Sequence, residues 1–159
     1  MKNKTLIKGF MVLIVITAVV MFVLAWTALP SLANFSADTF TDVAHLAKPV
    51  NYYVLLSAIP FFLILYEIFK ICNYIIKDEI FSAKPSISLK RISVFAYILG
   101  AMYIILTLVF LFNKFMTPLL ILILSLVVFA SVTVGTFALI MNVLVIKAYK
   151  LQEEHDLTV

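Results

Sequence analysis

Lys77-Asp78-Glu79-Ile80-Phe81-Ser82-Ala83-Lys84-Pro85-Ser86-Ile87-Ser88-Leu89-Lys90-Arg91-Ile92 is the one interior stretch of the chain in which charge is dense. It divides a very apolar sequence in two, and each half holds two runs long enough to cross a bilayer, for which roughly 20 apolar residues suffice. The stretch therefore joins a second crossing to a third. The expected fold is all-α: an integral membrane bundle of four transmembrane helices in two antiparallel hairpins. The chain forms one membrane domain over residues 1–159.

Composition supports lipid as the solvent. Hydrophobic residues make up 65% of the 159 and charged residues 13%, against roughly 45–50% and 25% in soluble domains. Mean hydropathy is +1.17. In water, a chain of this composition would leave large apolar patches exposed. The net charge of +4 does not mark a nucleic-acid binder, because the cations are sorted by side. Lys2, Lys4 and Lys8 precede the first run; Lys70, Lys77, Lys84, Lys90 and Arg91 surround the central stretch; Lys147 and Lys150 follow the last run. Lys48 and Lys114 alone fall on the other side. This positive-inside bias puts both termini and the central loop in the cytoplasm.

Outward from the central loop (77–91), helices are expected over about 6–29, 51–76, 88–112 and 119–148, with an external segment at 30–50 and a cytoplasmic tail at 149–159. The first run begins with basic residues, and Ser31-Leu32-Ala33 resembles a small-x-small cleavage site. Its apolar length exceeds the roughly 7–15 residues of a signal core, so it reads as a retained anchor. In the external segment Pro49 is expected to close any helix. Asp38, Asp42 and His45 would share one face if a helix formed there, and they read as a solvated face rather than a cation site. Within the second run Pro60 predicts a kink, with Ser57 near enough to help satisfy the freed carbonyl of Leu56. Ser82 or Ser86 can cap the third helix, with Pro85 in its first turn. Ser93, Ala96, Gly100, Tyr103 and Thr107 form a small and polar stripe on the third run. Ser131, Gly135, Ala138 and Asn142 form another on the fourth. Such stripes let membrane helices approach closely, so the two should face each other or the first two helices. They leave a self-contained bundle and a homo-oligomer both open.

Glu67 and Asn142 are the intramembrane polar residues of note. Ionisable groups within a span are costly and point to function. Lys70, three residues on from Glu67, offers a structural partner instead, and that pairing is the preferred reading. Asn142 reads as interhelical glue. No His-Glu-x-x-His, Gly-x-Ser-x-Gly, Gly-x-x-x-x-Gly-Lys or Cys-x-x-Cys occurs. The expectation is of no enzyme, no cofactor and no metal.

Phe81-Ser82 followed by Leu89-Lys90-Arg91-Ile92, together with the terminal Leu151-Gln152-Glu153-Glu154-His155-Asp156-Leu157-Thr158-Val159, resembles the DUF2975 family of small bacterial four-helix membrane proteins of undefined function. The chain departs from the family's usual Asn at Pro85 and from a basic residue near Ser86–Ser88. The resemblance implies a bacterial plasma membrane and, often, a neighbouring gene for a short helix-turn-helix regulator. The leading functional expectation is a membrane-anchored regulatory or adaptor protein that binds a cytosolic partner. Its binding residues would be Phe81, Ser82, Leu89, Lys90 and Arg91 of the loop, with Glu153, Glu154, Asp156 and Leu157 of the tail. The alternatives are immunity against a membrane-active peptide, acting through the external segment, and a small channel or transporter using Glu67, Pro60 and Asn142.

The charge bias makes a direct topological prediction. In a Cys72→Ser background, a cysteine at Ser36 should react with a membrane-impermeant maleimide in intact cells. One at Ser82 should react only after permeabilisation.

Overall fold

The computed structural model describes residues 2–39, 44–77, 83–114 and 118–156. They form four helices: α1 (Lys2–Thr39), α2 (Ala44–Ile76), α3 (Ala83–Phe112) and α4 (Pro118–Asp156). Each contains a segment long and apolar enough to span a membrane. Helices meet the demand of lipid because every backbone donor and acceptor is satisfied within the segment.

The helices outrun the apolar runs that announce them. The 39 residues of α4, at roughly 1.5 Å each, cover on the order of 58 Å, about twice a hydrocarbon core of roughly 30 Å. Hydropathy marks only the lipid-embedded part, while the backbone continues its hydrogen-bonded turns into polar sequence. Most of the expected external segment is accordingly helical, shared between the end of α1 and the start of α2. Asp38 falls in α1 and His45 in α2, with Asp42 outside the described residues, so no single helix carries all three. Pro49 does not end a helix: it lies inside α2. A proline so near a helix start removes few intrahelical bonds and is tolerated there.

Two further local expectations change. Ser57 does not serve the carbonyl freed by Pro60. Its hydroxyl donates to Val54 O at 2.7 Å. Ser86 is no cap, because α3 already starts at Ala83, which leaves Pro85 in the first turn as expected. Ser82 lies outside the described residues. At the other end of α3, Lys114 has φ 55°, a left-handed conformation that closes the helix, with Lys114 N–H donating to Leu111 O at 3.1 Å.

Packing follows chain order: α1 lies against α2, α2 against α3 and α3 against α4. The α3–α4 interface is the most extensive, and the two small-residue stripes meet in it. Ser93, Ala96, Ser131, Ala138 and Asn142 are all buried. A Cβ added to Gly100 would stand 3.4 Å from Ser131 Cβ, and one added to Gly135 would stand 3.2 Å from the Tyr97 ring. The Tyr97 hydroxyl in turn hydrogen-bonds Thr136 Oγ1 at 3.1 Å. Ile64, Ile92, Ala96 and Ala138 join α2, α3 and α4 in one buried cluster. Leu106, Phe110 and Leu124 make a second, with Tyr53 and Tyr103 packed against it. There Tyr53 Oη donates to the Met102 carbonyl at 2.8 Å. By contrast none of the apolar span of α1 is buried; it is the peripheral helix.

Close approach makes the three glycines unequal. Gly135→Ala should push on a Tyr97 ring that Thr136 holds in place, costing about 1–3 kcal/mol. Gly9 has nothing within 4 Å of an added Cβ. Gly9→Ala should be neutral or stabilising by up to about 1 kcal/mol. Thermal unfolding in one detergent compares the two variants directly.

Candidate functional site: a buried ionic cluster

One end of the bundle carries the start of α1, the end of α2, the start of α3 and the end of α4. Near this end the chain buries its intramembrane acid. Glu67 is only 4% exposed. A carboxylate so placed loses hydration worth several kcal/mol, and only charge-assisted hydrogen bonds offset that loss. Lys70 Nζ lies 3.2 Å from Oε1 and 3.3 Å from Oε2, so the pairing read from the i, i+3 spacing forms. Lys70 also sits over the Tyr66 ring, 5.1 Å from its centroid.

The cluster is larger than the sequence suggested. Arg91 Nη1 reaches across from α3 to Glu67 Oε1 at 3.3 Å. Ser88, one of the most deeply buried side chains of the protein, lies beside the same carboxylate. Glu67 and Arg91 lie at similar distances along the chain from the turn between α2 and α3. In an antiparallel hairpin that equality places them at one depth. The spacing was available in the sequence, but it becomes informative only once the pairing of α2 with α3 is known. Two cations against one acid leave the cluster with a net positive charge. Beside it Ser86 Oγ donates to Asn142 Oδ1 at 2.6 Å, tying α3 to α4. Asn142 is thus engaged between helices.

The residues expected to bind a partner divide into three sets. Arg91 points to Glu67, with its side chain half exposed. Lys90 is exposed and Leu89 half-buried on the neighbouring faces of α3. Glu153, Glu154 and Asp156 belong to the last turns of α4, while Phe81, Ser82 and Leu157 lie outside the described residues. Arg91 is therefore brought together with Glu67, Lys70 and Ser88. No group of three His, Cys, Asp or Glu side chains able to hold a metal occurs among the described residues.

Comparison with known proteins places this architecture. The family described as "Protein of unknown function (DUF2975)" matches residues 31–159. The chain belongs to the DUF2975 family. The matched residues hold both stretches on which the resemblance rested, Phe81–Ile92 and the terminal nonapeptide. A relative from Bacillus subtilis (strain 168), described as "Uncharacterized membrane protein YoaS", is 33% identical over 132 residues, which are 82% of each chain. No solved structure matches. This DUF2975 protein is a multi-pass bacterial membrane protein whose four helices contact the lipid bilayer.

The cluster yields a charge-balance prediction. Arg91→Met alone leaves Lys70 on the carboxylate and should cost about 1 kcal/mol. Lys70→Met combined with Arg91→Met strands a buried charge and should cost about 3–5 kcal/mol. Adding Glu67→Gln to that pair should recover most of the loss, measured as thermal stability in detergent.

Proposed function

We propose that this protein is a membrane-anchored regulatory adaptor that holds a cytosolic protein at the bilayer through its central loop and the end of α4. The observation that carries the reading is the continuation of α4 as helix to Asp156, beyond an apolar span that ends at Leu151. That extension is on the side where α2 gives way to α3, so the acidic turns Glu153, Glu154 and Asp156 share an end with Lys77, Lys84 and Lys90. A rigid helical projection beside a basic turn offers a protein partner a surface of both signs, and mixed charge favours specificity over simple lipid attraction. In this reading the side faces the cytoplasm, as the cation bias requires. Leu89 and Lys90 remain candidates for direct contact. Arg91 supports the surface from beneath through Glu67. The family's frequent neighbour, a short helix-turn-helix regulator, is the partner class to look for first.

Photo-crosslinking in the native host tests the adaptor. A photoreactive amino acid at Lys90 or Gln152 should capture one and the same cytosolic protein. The same residue at Val109, at the opposite end of α3, should not. Reversing Lys77, Lys84 and Lys90 to Glu should abolish the adduct at Gln152. Adducts that are the same from both ends of the bundle, or that survive charge reversal, would sink the adaptor reading.

A further inference from the structure

The ionic cluster is unbalanced. Glu67 brings one negative charge to it, while Lys70 and Arg91 each bring a positive one. Both cations reach the same oxygen, Lys70 Nζ at 3.2 Å and Arg91 Nη1 at 3.3 Å from Oε1. They therefore stand close enough together for one further anion to touch both. Nη1 is the one Arg91 nitrogen with a partner among the described residues, so most of the guanidinium's donors are unengaged.

The position of the cluster makes that surplus costly. Lys70 and Arg91 both lie inside segments apolar enough to span the membrane, Lys48–Ile76 and Lys84–Phe112. Burial across the cluster is one-sided: the Glu67 side chain is 5% exposed, that of Lys70 27% and that of Arg91 55%. The acid faces the protein and the cations face outward, toward lipid. Tyr66, whose ring Lys70 overlies, is itself exposed. An unmatched charge on such a surface is unfavourable unless a counter-charge is in reach. Two apolar stripes lead from the cluster along the bilayer. Tyr66, Leu63 and Ile59 follow one face of α2 at intervals of three and four residues, and Val94 and Ile98 continue from Arg91 along α3 at the same intervals. All five are exposed. The apolar cavity that all four helices line is separate, for Glu67, Lys70 and Arg91 are not among its lining residues.

We propose that Lys70 and Arg91 bind the phosphodiester of one anionic phospholipid at the α2–α3 seam, with its acyl chains lying along these stripes. Each part of the lipid answers to a part of the surface. A surplus of one positive charge is matched by one phosphodiester that has no cation of its own. A choline or ethanolamine headgroup would bring an ammonium with it and restore the imbalance. The planar guanidinium suits a pair of phosphate oxygens, and the ammonium adds a point charge beside it. Basic pockets between spanning helices are a recurrent seat for anionic headgroups. This binding needs no cytosolic partner and holds for either side of the membrane, so it stands apart from the adaptor reading.

Native mass spectrometry of the intact chain, released from a neutral detergent, tests the site. Titration with dioleoyl phosphatidylglycerol should give a one-lipid adduct at a concentration about tenfold below that needed for dioleoyl phosphatidylcholine, the effect of one charge-assisted hydrogen bond. Arg91→Met, which leaves Lys70 on the carboxylate and so keeps the fold, should remove this preference, and Arg91→Lys should recover it. Lys90→Met deletes the same charge one residue away, from an exposed side chain, and should leave the preference in place. Equal binding of the two lipids by the wild type would overturn the proposal. Equal loss in the Arg91→Met and Lys90→Met chains would do the same, since the attraction would then be diffuse surface charge. So would displacement of the lipid by inorganic phosphate, which would make the cluster a site for soluble anions.

Discussion

Between helices immersed in lipid there is no hydrophobic driving force, because acyl chains are as apolar as leucine. Association then depends on close van der Waals packing and on hydrogen bonds across the interface. The α3–α4 seam answers that constraint most fully in this protein. Gly100 and Gly135 remove the side chains that would hold the backbones apart, and Ala96 and Ala138 fill the gaps with single methyl groups. Tyr97–Thr136 and Ser86–Asn142 supply hydrogen bonds across it. The remaining helices are added in sequence, each with less contact than the last. α1, which lacks such a stripe, ends as the peripheral member with its apolar span unburied.

The ionic cluster solves a different problem with the same economy. A carboxylate in this position needs compensation, and a lysine from its own helix satisfies only part of its hydrogen-bonding capacity. Arg91 adds a second cation from α3, so the acid fastens α2 to α3 near one end of an interface whose other end is tied by Tyr53 to the Met102 carbonyl. Glu67 thereby fixes the depth at which α2 and α3 register. The exposed charges beyond it, Lys77 and Lys90, are left free of that duty by position.

Much of this was legible from residues alone. Four spans, the interior loop that separates two hairpins, the existence of the two small-residue stripes and the Glu67–Lys70 pair all follow from local periodicity and spacing. Helix limits were less legible, because hydropathy stops at the membrane surface while hydrogen bonding does not. Pro49 and Ser86 illustrate the difference. One reads as a terminator and the other as a cap, but both lie inside helices because the helix had begun several residues before the apolar run.

What the sequence determined by itself was the solvent of the protein, its number of crossings and which face of α3 and α4 is small. Those properties are carried by composition and by periods of three and four residues within one helix. Only the tertiary structure decided that α2 packs on α3 while α1 and α4 do not meet among the described residues, that Arg91 turns toward Glu67, and that Ser131 lines a cavity bounded by all four helices. These depend on residues distant along the chain arriving at one depth and one angle, and no local period encodes a relation between helices.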